Sequence, residues 1–386
     1  MGVEFRLGGG DHKVAEDFLA HQAAGVSAIV VDTKAAKHQQ AAAEAAADAG
    51  VKVYFDPATE RLADVGFELP GLAYYPPTPY DVDKLAQQPA QRTALVAGVL
   101  AAHPRFVTTV TPPHFFVRDE RSANLNVSLA EETLHEHGAD VRATLVLSSR
   151  YPVAAAAELA AEYRRAGIRD MELRISPLGG EDESVRKIRS SFALLRAFTD
   201  SALTVTLGLS GNVGQTAMAL GHAQHYSVGI GLRERVNHAG TISRQKQPPK
   251  PPKDGEEDGG GGPIAGIYLP GPALTVSRKL GASYLANTDI RTRVGCRLGA
   301  CGTSVSGPKN DPRGHYLHAR ATEVDKLMST PERWRPGMEV DRLTRARDLR
   351  RLINDKHRGP EDPVLNIRTL SSLLEDIAIE REQKTA

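Results

Sequence analysis

The stretch Ala28-Ile29-Val30-Val31-Asp32, followed by the alanine-rich segment 34–49, Gly50 and Val51-Lys52-Val53-Tyr54-Phe55-Asp56, reads as one strand, helix, strand unit. Its two runs are β-branched or aromatic, as buried strands require, and the alanines between them recur at helical spacing until a glycine stops them. The same alternation continues in both directions. Strands are predicted at 3–7, 28–32, 51–55, 106–110, 144–148, 171–175, 203–207 and 226–231, with helices at 14–24, 34–49, 92–102, 153–166 and 185–198 and with Gly25, Gly50 and Gly167 as stops. Eight such units predict an α/β fold, a (β/α)8 TIM barrel over residues 1–243. An open doubly wound sheet is the second choice, because no Gly-x-Gly-x-x-Gly follows the first strand.

Composition agrees with one large globular domain plus an appendage, or two modest domains. The 386 residues carry 48 Lys+Arg against 47 Asp+Glu, so a net charge of +1 excludes wholesale electrostatic capture of nucleic acid and leaves local basic patches. Two cysteines exclude a disulfide scaffold. No apolar run reaches the roughly 18 residues of a membrane span, and no leader segment is read, so the expectation is a cytoplasmic protein with no membrane partner. The dense prolines of 69–79 read as a loop over the barrel mouth. Residues 244–263 read as a disordered Pro/Gly-rich linker or loop insertion, and 264–386 as a C-terminal Cys/His-containing helical subdomain. Its last helix has apolar residues at Leu365, Leu370, Leu373, Leu374 and Ile377, a face for the barrel or for a homodimer partner.

Barrels hold their reacting groups at the C-terminal ends of the strands. There stand Arg6 and Asp11, Asp32 and Lys34, Asp56 and Thr59, Thr111 and His114, Ser148 and Arg150, Glu172 and Arg174, Ser210 and Asn212, and Arg233 and Glu234. Asp32 and Asp56 each end an apolar run, which makes them candidate acid/base groups or nucleophiles; helix capping is the alternative. In Met171-Glu172-Leu173-Arg174-Ile175, period two turns Glu172 and Arg174 into the barrel, where charges must be paired or ligand-bound. Gly208, Ser210 and Gly211 after the seventh strand, with Gly229, Gly231 and Arg233 after the eighth, suit a phosphate-bearing ligand, or else simply make tight turns.

Cys296 and Cys301, with Gly295, Gly299 and Gly302 around them and His315 and His318 following, supply the donor types of tetrahedral zinc; free thiols beside surface histidines are the alternative. A barrel followed by Cys296, Cys301, His315 and then 316–323, Tyr-Leu-His-Ala-Arg-Ala-Thr-Glu, resembles the tRNA-guanine transglycosylase superfamily. The resemblance begins in the last third of the barrel. It departs from the family in having two cysteines rather than three, no Asp-Ser-Gly-Gly-Phe-Gln, and no Asp after the eighth strand. It implies zinc in the C-terminal unit and a transferase acting on a nucleobase or nucleotide-like substrate by N-glycosidic bond chemistry, with Asp32 or Asp56 in the catalytic role and Arg174 orienting the substrate. Arg342, Arg345, Arg347, Arg350 and Arg351 then have a role on nucleic-acid phosphates, against the plainer reading of a solvated helix face. Two other functions fit the residues: a flavin- or phosphate-binding barrel oxidoreductase, and a non-catalytic barrel that recruits partners.

Overall fold

A computed structural model describes residues 1–107, 109–138, 140–231, 234–248, 266–301 and 307–385. Eight strands form one all-parallel sheet: β1 Gly2–Arg6, β2 Val26–Asp32, β3 Lys52–Asp56, β4 Phe116–Val117, β5 Arg142–Ser148, β6 Asp170–Ser176, β7 Thr204–Leu207 and β8 His225–Gly229. Their spatial order is β3-β2-β1-β8-β7-β6-β5-β4, the cyclic order of alternating strand and helix units cut between β3 and β4. Two contacts show that the sheet is curled. Tyr54 of β3 donates its hydroxyl to Asp170 of β6 at 3.1 Å, and its ring lies 3.9 Å from the Arg142 guanidinium carbon of β5, although five strands separate β3 from β5 along the sheet. β3 and β4 share no ladder among the described residues.

The two faces sort by alternation. Phe5, Val31, Phe55, Leu145, Leu173, Leu207 and Val228 point outward into the main core beneath the helices. Glu4, Arg6, Tyr54, Asp56, Arg142, Glu172 and Arg174 point inward, so the concave side is charged while the convex side is hydrocarbon. Gly25, Gly50 and Gly167 end their helices with positive φ, as read from the sequence.

Three expectations need correction. The strand expected at 106–110 is absent as such: Val110 makes one isolated parallel bridge to Val141, and β4 is the two-residue pair beyond it. Pro104 on one side and Pro112-Pro113 on the other deny a ladder its donors and break the run. Residues 244 and 245 end the helix His238–Gln245 rather than beginning a linker, while 249–263 of the expected linker lie outside the described residues. The C-terminal unit is also not separate from the curled sheet and its helices. Tyr316, Leu317, Val324, Leu343, Leu370, Leu373 and Ile377 belong to the same core as the strands.

That fusion uses polar ties as well. Arg320 pairs with Glu234 at 2.5 Å, His222 meets Glu380 at 2.6 Å, and Glu339 accepts from Thr216 at 2.8 Å. Arg350, wholly buried, donates to the carbonyls of Pro272 and Ala273 at 2.7 and 2.8 Å, and Arg342 donates to Glu339 and Asn212. Two of the five arginines expected on phosphates are therefore structural. The apolar face expected for a sister subunit is covered by this chain's own helices Val185–Thr199 and Gly211–Leu220.

A shared core unfolds as a unit. Leu373→Ala is expected to cost about 2–5 kcal/mol in urea denaturation followed by circular dichroism, and to shift one common transition. Two transitions, with only one shifted, would show an independent C-terminal domain.

Candidate functional site

At the C-terminal end of the strands lies a cavity of about 490 Å³ lined by side chains from β1, β2, β3 and β6 and from the loops beyond β3 and β8. Its floor is an ion-pair lattice. Glu172 accepts from Arg6 at 3.0 and 3.1 Å, from Arg174 at 2.8 and 3.1 Å and from Ser227 at 2.9 Å. Asp56 accepts from Arg174 at 2.9 Å, from Arg6, and through its other oxygen from the Ala58 amide at 3.0 Å. Burial works to raise the Glu172 pKa, but Arg174, Arg6 and Arg142 outweigh it and hold the carboxylate well below its usual range. Gly208 is required beside it, since a Cβ there would stand 2.7 Å from Arg174 Cγ and 2.9 Å from a Glu172 oxygen.

Beneath this layer Glu4 accepts from Arg142 at 2.7 Å and from Thr206 at 2.8 Å, and burial raises its pKa despite Arg142. Above it Glu60, from the turn after β3, meets His114 Nε2 at 3.1 Å and Arg174 at 3.6 Å. His114 Nδ1 faces the Pro112 carbonyl at 3.2 Å, which assigns that nitrogen as the donor. Glu60 Oε2 and His114 Nε2 are both buried and face each other with no aligned hydrogen bond among the described residues. Burial again pushes Glu60 upward, and His114, Arg174 and His238 together hold it below the carboxylate range. Asp56, Glu60 and His114 lie close enough to hold a cation, but the Arg174 guanidinium already fills that electrostatic role.

The rim is different in kind. Lys34 sits over the Phe67 ring at 4.5 Å, Arg61 stacks on the same ring at 3.7 Å and donates to Gln245, and Arg244 donates to Thr241. Lys34, Arg235 and Arg244 have no carboxylate partner among the described residues. His238 stacks flat on Phe116 at 4.4 Å, and burial lowers its pKa so that the ring is neutral at neutral pH. Asp32 lines the cavity, its Oδ1 accepting from the Lys34 amide at 2.9 Å.

Of the residues read from the sequence, Arg6, Asp32, Lys34, Asp56, Arg174 and Gly229 line the mouth, and Glu172 supports it from below. The anion seat expected after the seventh strand does not open there: Ser210, Gly211 and Asn212 are buried, and a Cβ on Gly211 would lie 2.7 Å from the Glu234 carboxylate, which occupies the space before that helix. Gly231 has positive φ, while Arg233 lies outside the described residues. Glu60, Arg61, Arg235, His238 and Arg244 were missed. They stand in turns and in the helix His238–Gln245, where no periodicity marks a direction, although the pair Glu60-Arg61 shortly after the third strand was a visible signal.

Away from the mouth, Cys296 and Cys301 Sγ are 3.5 Å apart and His315 Nδ1 is 3.2 Å from Cys301. His315 Nε2 donates to the Tyr268 carbonyl at 2.7 Å, which leaves Nδ1 as the free lone pair. The proton shared between the sulfurs, aided by His315, pulls the Cys296 pKa down to about 4 and holds the Cys301 thiol up. His318 does not join them: its Nδ1 contacts Gln22 at 2.8 Å and its ring packs edge-on against Phe18. Their partners hold the two rings apart: His315 is fixed by the Tyr268 carbonyl beside the cysteines, and His318 by Gln22 and Phe18 on the other side.

No family model matches the chain, and no curated protein does. Among solved structures, nitroalkane oxidase from Streptomyces ansochromogenes is similar at 12% identity, over 100% of this chain and 97% of that one, with a TM-score of 0.29. That likeness is too distant to inform the fold or the reaction.

Glu172→Gln leaves three arginines facing one anion fewer and is expected to cost about 3–5 kcal/mol in chemical denaturation. Because the folded-state pKa of Glu172 is depressed, its contribution is present above the unfolded carboxylate value of about 4.3 and is lost as pH falls toward the folded value. The variant should therefore show a flatter acid limb in stability measured against pH. An unchanged acid limb would contradict the pairing.

Proposed function

We propose that the chain is a (β/α)8-barrel enzyme whose mouth takes a negatively charged, nucleobase- or nucleotide-like substrate. The observation that carries this reading is the contrast between floor and rim. The floor's charges are spent on one another, whereas Lys34, Arg235 and Arg244 face the cavity with no carboxylate partner among the described residues. These three cations are exposed, and cations gathered at one cavity edge attract phosphate or carboxylate groups. His238 on Phe116, with Arg61 and Lys34 on Phe67, adds flat surfaces suited to a base.

Chemistry at the N-glycosidic bond fits this site with a division of roles. Asp56 has both oxygens held by Arg6, Arg174 and the Ala58 amide, which suits it to fixing Arg174 rather than to attacking substrate. Asp32, which lines the cavity, is then the nucleophile or general acid/base, and Glu60 pairs with His114 and Arg174 beside it. Arg174 orients the substrate as expected from the sequence.

The cysteines and His315 support the transglycosylase-like reading of the C-terminal unit. Two thiols and an imidazole nitrogen with edges of 3.2 and 3.5 Å match three corners of a zinc tetrahedron, for which metal bonds of about 2.0–2.3 Å are usual. Zinc held by Cys296, Cys301 and His315 would tie the loop before 301 to the helix Pro312–Ser329, with no part in the mouth. His318 is not among the ligands. The proposed compartment is the cytoplasm: both cysteines are free, and no helix among the described residues is long and apolar enough to cross a membrane.

Calorimetric titration with nucleoside monophosphates and with short RNA and DNA is expected to show salt-sensitive binding. Arg235→Ala together with Arg244→Ala should weaken it about tenfold or more, and exchange of a labelled base should be lost in Asp32→Asn with binding retained. Binding indifferent to both arginines would refute the site. Elemental analysis should find about one zinc per chain, absent from Cys296→Ser; unloaded protein purified with zinc present would refute the metal.

A further inference from the structure

We propose that the seam between β3 and β4 is a second binding site, separate from the mouth, for an apolar anion: a flat hydrocarbon body carrying an acidic group. A cavity of about 930 Å³ opens there, within the roughly 300–1,000 Å³ typical of small-molecule sites. Its walls are Phe55 from the outer face of β3, Leu69 and Leu72 from the proline-rich loop, and Ala102 and Phe106 from the segment that leads toward β4. Strand pairing normally draws such walls together. Among the described residues β3 pairs with β2 alone, and prolines flank the segment on the far side.

Charge complementarity selects the ligand. Lys34, Lys37 and Arg105 stand around the apolar walls, and none has an ion-pair partner among the described residues; Glu68 is the single carboxylate among the lining groups. Hydrocarbon would suffice for a neutral ligand, and a polar anion would gain nothing from Phe55, Leu69 and Phe106. An amphipathic anion uses both. Lys34 lines this cavity and the mouth alike, so the ammonium group over Phe67 stands between the two sites and can answer to an anion in either.

The test is fluorescence titration of the full chain with 8-anilinonaphthalene-1-sulfonate, a flat aromatic anion. Saturable binding at one site is expected, weakened about tenfold or more by Lys37→Glu with Arg105→Glu and abolished by Ala102→Trp, which fills the cavity. Arg235→Ala with Arg244→Ala should leave it unchanged, so failure of the seam site and failure of the mouth reading are told apart. Melting curves on each variant confirm folding, and Lys37→Glu alone serves if the double variant does not fold. Unsaturable binding, or binding lost in the mouth variant and kept in the seam variants, would overturn the proposal.

Discussion

Glu172 is the interaction on which the interior depends. Placed on β6 with 2% of its surface exposed, it collects Arg6 from β1, Arg174 from its own strand and Ser227 from β8. A lone buried carboxylate would be prohibitive, and the two arginines side by side without it would be worse; together with Asp56 they form a compensated lattice. Such a lattice is directional where hydrocarbon is not. It fixes which residue of each strand faces inward and joins β1, β3, β6 and β8, so the register of the curled sheet follows from charge pairing as well as from the core outside it.

The lattice also decides what is left for chemistry. Groups consumed within it cannot leave without exposing a partner, and so the floor is a rigid base rather than a set of reagents. In the proposed function reactivity moves one layer up, to Asp32, Glu60, His238 and the rim cations that have no carboxylate partner among the described residues. The site is thus built in two tiers: a lower tier that holds charge in place and an upper tier that has charge to offer.

Much of this was legible in the sequence. Alternation in 171–175 placed Glu172 and Arg174 inside, and the repeated apolar runs located seven of the eight strands. The fourth strand was misplaced because 106–110 has strand composition while its flanking prolines dictate otherwise. The glycines after the seventh strand were read as a phosphate seat, but Gly208 makes room for Arg174 and Gly211 for Glu234, a distinction that lies in long-range packing and not in the local pattern. Likewise nothing local reveals that Arg350 is buried and Arg342 tied to Glu339 and Asn212 while Arg345, on the same helix, lies on its surface. The rim cations come from segments far apart in the chain, and only folding brings them to one cavity.

The central claim is that this rim is an anion site above a closed charge lattice. A crystal structure grown with a saturating nucleoside monophosphate tests it most directly. The account predicts the phosphate within hydrogen-bond distance of Arg235 and Arg244, with the Arg6, Asp56, Glu172 and Arg174 pairs undisturbed beneath it. A phosphate bound elsewhere on the chain with the mouth empty, or one that displaces Glu172 from its arginines, would contradict it.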